Sequence, residues 1–205
     1  MTLTTATAPR PGPGRPSSGA RERILEGCLE VLKADGYAGL SLAKVAAASG
    51  ENKALITYHF GSKSGLVVAA ARELGDSISR QISEGLEGAA TLEEIMRGAL
   101  AGVGEIVDRD ERLPRAYFDL SAVSVVDVEI RDVMREVKQG FRAVLRKLLA
   151  SVGNPLPAAE IAPFSVVVIA GVEGLLLERI ERGETSELAQ ARELFVRSMT
   201  EIASR

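Results

Sequence analysis

Residues 36–66 read GYAGLSLAKVAAASGENKALITYHFGSKSGL. Glycines at 50 and 61 divide this stretch into three helix-forming runs. Ser41 stands where an N-cap belongs, because its hydroxyl can accept from the first unpaired amides of a helix reaching about Ala48. Ser49-Gly50-Glu51 forms a tight turn. A third helix covers about Asn52–Phe60 and stops at Gly61. Ser62 then caps a long fourth helix over about Lys63–Gly85.

On a wheel of about 100° per residue, Ile56 and Phe60 of the third helix share one side. The opposite side presents Ala54, Leu55 and Tyr58, flanked by Lys53 and Thr57, with Asn52 at the start. Such a helix suits a DNA major groove. Small residues allow close approach, hydroxyl and amine groups can meet base edges, and Leu55 or the Thr57 methyl can touch thymine methyls. Tyr58, His59 and Lys63, near its C-terminal end, are placed for phosphate oxygens, as are Ser41 and Lys44 on the second helix. Ala46 and Gly50 supply the small residues a helix-turn-helix needs where its helices cross and turn. Spacing alone also fits a helical bundle with Tyr58-His59-Phe60 at the edge of its core.

Upstream, Ile24, Leu25, Cys28, Val31 and Leu32 follow helical spacing over about Ala20–Asp35, and Gly36 is placed to end that helix. Residues 1–19 carry four prolines, Arg10, Arg15 and no acid. They cannot bury enough apolar surface to fold alone and read as a disordered arm. Its Gly14-Arg15-Pro16 either enters an adjacent minor groove or makes no contact. Downstream, Thr91-Leu-Glu-Glu94 has capping-box form and opens a helix to about Val107. Further helices are expected over about Pro114–Val123, Val128–Val152, Ala158–Arg182 and Ser186–Ser204, with a break at Gly153–Pro157. No alternating β-branched run appears, so the predicted class is all-α with about nine helices.

Composition narrows the function. The 205 residues are 46% hydrophobic and 26% charged, which suits a globular chain with a sizeable core. The longest apolar run, Phe164–Leu177, is interrupted by Glu173 and falls short of the roughly 20 residues a bilayer span needs. With no signal-peptide layout and a single cysteine, the expected location is cytoplasmic, with no membrane partner. One histidine and one cysteine cannot build a zinc site, and a Ser-His-Asp triad would have to use His59. The acids read as solvated helix faces, and no phosphate-binding glycine loop is present. No catalytic residue, metal or cofactor is therefore expected. The formal net charge is −3, yet residues 1–60 hold seven Lys/Arg against five acids. Any nucleic-acid contact must be local to that end.

The segment from about Arg23 to Leu66 resembles the DNA-binding domain of the tetracycline-repressor (TetR) family. The likeness is carried by Gly36-Tyr37, Ser41, Val45-Ala46, Ser49-Gly50, Tyr58-His59-Phe60, Ser62-Lys63 and Leu66. Glu51 departs from a position usually apolar in the family, and Thr57 from one usually tyrosine. Glu51 suits the helix N-terminus but would repel phosphate, so it is expected to point aside. Thr57 leaves base preference open. The resemblance implies a DNA-binding domain over residues 20–65 and a ligand-binding and dimerisation domain over 66–205.

The Ala158–Arg182 helix is apolar nearly all round and needs partners on two sides. With the last helix it looks like the family's dimerisation pair, through Val166, Ile169, Glu173, Leu176, Leu188, Phe195, Met199 and Ile202. The family's middle helices enclose an effector pocket, for which Met96, Tyr117, Phe118, Ser121, Met134, Phe141 and Glu173 are candidates. Each of these also reads as core. The implied function is a homodimeric regulator, a repressor released from a palindromic double-stranded DNA operator by a small-molecule effector. An activator of the same fold and an all-α enzyme using acidic residues are the alternatives.

Overall fold

Side-chain caps set where most of the helices begin. In the computed structural model, which describes residues 19–153 and 156–204, nine helices follow one another among the described residues. They are α1 (Ala20–Gly39), α2 (Leu42–Ser49), α3 (Lys53–Phe60), α4 (Lys63–Gly85), α5 (Leu92–Arg109), α6 (Arg112–Val123), α7 (Val128–Ser151), α8 (Ala158–Arg182) and α9 (Ser186–Ala203). The expectations for the N-terminal arm, Arg10 and Arg15 included, lie outside the described residues. Ser41, Asn52 and Ser62 each accept from a backbone N–H three residues on, opening α2, α3 and α4. Thr91 accepts from Glu94 N at 3.2 Å, while the Glu94 carboxylate reaches back one residue past the N-cap and accepts from Ala90 N at 2.7 Å, a variant of the capping box.

Three boundaries differ from the sequence expectation by two residues or more, one of them the end of α5, which runs to Arg109 rather than Val107. Backbone at Gly36 leaves helical values (φ 68°, ψ −177°), and a last turn resumes to Gly39. The regular part of α1 thus ends where glycine permits a positive φ. α6 begins at Arg112, two residues before Pro114, because the Asp110 carboxylate accepts from Arg112 N at 3.2 Å and supplies a start the sequence pattern hid.

Two apolar cores organise the chain. The first joins Ile24, Cys28 and Leu32 of α1, Val45 of α2, Ile56 of α3, Leu66, Ala70 and Leu74 of α4, Tyr117 and Leu120 of α6, and Ile130 and Val133 of α7. It runs without a seam from the helix-turn-helix into the rest of the chain. The second joins Ile95 and Met96 of α5, Leu145 and Leu149 of α7, Phe164 and Val168 of α8, and Val196, Met199 and Ala203 of α9. α4 and α7 pack along each other, closely enough that a Cβ on Gly75 would lie 2.7 Å from Val137 Cγ1. α1 and α2 cross at Gly27, where a Cβ would lie 2.9 Å from Ser49.

Cys28 is fully buried in the first core. Burial pushes its thiol from 9.0 up to about 12, against a smaller opposing pull from Lys63. Since the thiolate is the reactive form, iodoacetamide is expected to label the native chain on the order of 100-fold more slowly than the denatured chain. Equal rates by mass spectrometry would mean that this core opens readily.

By length and composition α8 could cross a membrane. Here it packs against α5, α7 and α9. It leaves Val166, Val167 and Leu177 exposed, with Ala170 and Gly174 exposed between them.

Candidate nucleic-acid interface and small-molecule cavity

The only fully buried side chain of α3 is Ile56, which fixes the helix against the first core. Phe60 packs partly against the same core, and so does Leu55. Leu55 is therefore half-buried, at the edge of the outward face rather than in its middle. What remains exposed is Asn52, Lys53, Ala54, Thr57 and Tyr58, the last 74% accessible. Thr57 Oγ1 donates to the Lys53 carbonyl of its own helix at 3.0 Å, leaving its methyl outward. A large exposed tyrosine beside a lysine and two small residues is a surface that packing within this chain does not explain.

The flanking groups are held more tightly than the sequence suggested. Ser41 is engaged in capping α2. Exposed Lys44 pairs with Asp35 at 2.7 Å. Lys63 Nζ lies 5.0 Å from the centroid of the Tyr37 ring, a cation–π distance. His59 is half-buried between the rings of Tyr58 and Phe60, with Nε2 turned inward and without a hydrogen-bond partner among the described residues. That ring nitrogen is therefore turned away from solvent. Glu51 is held by Arg23 of α1 at 2.5 Å, so its charge is turned aside. Arg21, whose guanidinium sits 5.5 Å over the Phe60 ring, adds a cation at this end that the sequence reading missed. Its signal was only one arginine near the start of α1.

α6 reaches back to this head. Asp119 accepts from Tyr37 N at 2.6 Å, and the Tyr37 hydroxyl donates to Asp127 at 3.4 Å. Burial first, and Asp127 beside it, push the Tyr37 phenol upward. Neither carboxylate could be picked from the sequence, since the partners are 82 and 90 positions apart.

Between the two cores lies a cavity of about 100 Å³ walled by α4, α5, α6, α7 and α8. Of the residues the sequence suggested, Met96, Tyr117, Phe141 and Glu173 line it. Phe118, Ser121 and Met134 do not. Met134 is buried in the first core and Phe118 packs partly against it. Ser121 is half-buried one turn beyond Tyr117. These three sit toward the head end of α6 and α7, where α1 and α4 fill the space. Aliphatic walls such as Ile78, Ile82, Val103 and Leu148 were missed because nothing in a sequence separates them from ordinary core.

Glu173 carries the cavity's polar end. Tyr117 Oη donates to its Oε1 at 2.5 Å and Lys138 Nζ to its Oε2 at 3.0 Å. Burial foremost, then the Glu173 charge, drives the Tyr117 phenol far above the tyrosine range, with smaller opposing pulls from Ser121 and then Arg142. The phenol thus stays protonated and serves as a donor.

The expected dimer residues divide. Val166 and Ile202 are exposed, while Leu188 and Met199 are buried within the chain. Ile169 and Glu173 face the cavity, and Leu176 is half-buried. The Phe195 ring lies where a Gly171 Cβ would stand, 2.3 Å away. The most apolar stripe of α9 therefore faces α5 and α8 of its own chain. Its large exposed apolar side chains are Leu194 and Ile202, of which the sequence reading named Ile202.

Residues 24–70 match the family model for bacterial regulatory proteins, tetR family. The HTH-type transcriptional repressor AcnR of Corynebacterium glutamicum is 33% identical over 87 residues, 42% of this chain and 44% of that repressor. The chain thus aligns with less than half of that relative's length. Two solved structures share the fold across most of both chains. The multidrug binding protein EbrR, in complex with ethidium, has a TM-score of 0.70 at 24% identity, covering 88% of this chain and 98% of that one. The transcriptional regulator FadR of Bacillus subtilis, in complex with stearoyl-CoA, has a TM-score of 0.69 at 14% identity, covering 87% and 97%. With its capped helix-turn-helix and these likenesses, the segment over residues 24–70 is a DNA-binding domain of the kind found in bacterial regulatory proteins of the tetR family, on a chain that shares their fold.

Proposed function

We propose that this protein is a cytoplasmic, homodimeric repressor, without enzymatic activity, that leaves a palindromic operator when a small molecule enters its cavity. The observation that carries the proposal is the exposed strip Lys53, Ala54, Thr57 and Tyr58 on a helix anchored from behind by Ile56. Lys53 and Thr57 are assigned to base edges, with Asn52, Ala54 and Leu55 forming the close contact. Ser41, Lys44, Tyr58, His59 and Lys63 are assigned to positioning on phosphates. Residues 20–65 act as the DNA-binding head and 66–205 as the effector and dimerisation body, with 1–19 as an arm ahead of them. AcnR, the relative aligned over 87 residues, is a repressor, which supports the sign of the effect.

A second copy would cover the exposed apolar faces of α8 and α9. Exposed Ala170 and Gly174 let a facing helix approach closely between Val166, Val167 and Leu177. A two-fold contact on that face would set two recognition helices for half-sites about one DNA turn apart. α6 links the two functions, because Tyr117 lines the cavity and Asp119 holds Tyr37 of the head. A ligand that displaces Tyr117 shifts α6 and with it the head, which is a coupling free energy between sites.

Selection of bound sequences from a random DNA pool with the purified chain tests the proposal. A palindrome with half-sites about one turn apart is expected. Lys63→Ala should weaken all sequences alike and flatten the salt dependence, while Lys53→Ala or Thr57→Ala should change which sequence is preferred. Recovery of no sequence above background, with or without cavity ligands, would reject the reading. Three variants with identical behaviour would reject the residue roles.

A further inference from the structure

We infer that the cavity takes a compact, uncharged molecule of carbon character, and that Tyr117 sets this selectivity by occupying Glu173. The inference builds on reading this cavity as the site a small molecule enters, and it names the class of that molecule.

The surface the cavity offers is carbon throughout, although Ser79, Tyr117 and Glu173 stand in its wall. Four of its helices contribute aliphatic side chains, such as Ile78, Val103, Leu148 and Val172. Its volume of about 100 Å³ is on the scale of a single aromatic ring, since an apolar cavity of roughly 150 Å³ holds benzene.

Glu173 is the one charged residue of that wall among the described residues. Tyr117 Oη donates to its Oε1 at 2.5 Å and Lys138 Nζ to its Oε2 at 3.0 Å. Both oxygens are therefore matched, and the carboxylate and ammonium cancel in charge. A cation entering the cavity would shed its water without gaining a free carboxylate. An anion would lie beside Glu173 and meet no free donor. The phenol proton is directed at Oε1, and Lys138 is not one of the wall residues. A neutral hydroxyl would also lose its bonds to water without replacement. A hydrocarbon loses no such bond and keeps the whole gain from leaving water.

Calorimetric titration of the full chain with toluene, benzyl alcohol, benzoate and benzylammonium, which share one ring and differ in substituent, tests this. Toluene is expected to bind about tenfold or more tighter than benzoate and benzylammonium, with benzyl alcohol between them. Tyr117→Phe frees one Glu173 oxygen, so it should raise benzylammonium affinity about tenfold and leave toluene unchanged. Ala99→Leu, which fills the cavity from α5, should abolish toluene binding, with circular dichroism showing that both variants fold. Four results would each overturn the inference: no toluene binding, equal or reversed preference in the unaltered chain, toluene binding that survives Ala99→Leu, or a Tyr117→Phe profile identical to the parent's. Operator release is read separately by fluorescence anisotropy. Toluene that binds with the expected preference yet leaves operator affinity unchanged supports the selectivity and rejects the cavity as effector site.

Discussion

Ile56→Ala is expected to lower stability by about 2–5 kcal/mol, the range for truncating a fully buried isoleucine, and to abolish DNA binding under conditions where the chain is still folded. α3 has eight residues, too few to hold a helix without tertiary support. Its support comes from α1, α2 and α4, and Ile56 is its only side chain with no exposure at all. Truncation leaves a hole among three helices whose positions are fixed by other contacts, so the site cannot collapse to fill it. The recognition helix would then fray while α4 to α9 remain folded around the second core. Urea denaturation followed by circular dichroism gives the stability, and fluorescence anisotropy with the selected operator gives the binding. Ile56→Val should cost only about 0.5–1.5 kcal/mol and keep most of the affinity. If the alanine variant bound as tightly as the parent chain, α3 would not depend on this anchor and the assignment of the head would be wrong.

Gly65→Ala is the second large effect. A Cβ at residue 65 would stand 2.2 Å from the Phe60 carbonyl oxygen. That oxygen is main chain, and it already accepts from Ser62 N at 2.8 Å, so it cannot rotate away as a side chain would. The turn from α3 to α4 must spread. The expected cost is about 1–3 kcal/mol, the usual range for forced overpacking, or more where backbone meets backbone. Gly140→Ala supplies the contrast. Gly140 lies inside α7 with nothing within 4 Å of its would-be Cβ. Alanine there should stabilise by about 0.5–1 kcal/mol, because glycine loses more backbone freedom in a helix. Thermal unfolding of the two variants side by side decides the matter. Shifts of the same sign would mean that the close approach at residue 65 is relieved by movement rather than stored in the fold.

Both substitutions test a region that was largely legible in the residues. Ser41, Asn52 and Ser62 act on backbone groups three positions away, and Gly50 and Gly61 turn the chain within a single residue, so local chemistry sufficed to place α2, α3 and α4. The departures at Glu51 and Thr57 were visible too, but the sequence held no sign that Arg23 would grip the first, because that pair spans 28 positions.

The sequence by itself determined the helices, their caps and turns, the all-α class and the helix-turn-helix, since each depends on groups within about one turn of each other. Tertiary structure alone decided the rest. It chose which neighbour each apolar stripe meets, turning the main stripe of α9 inward and leaving Leu194 outside. It separated Ile78 and Leu148 of the cavity wall from core aliphatics of identical character. It also paired Glu173 with Tyr117 and Lys138, and Asp119 with Tyr37. The physical reason is range. Periodicity records that a helix has an apolar side, whereas a partner across the fold is chosen by the packing of all the helices together, and that information is spread over residues far apart in the chain.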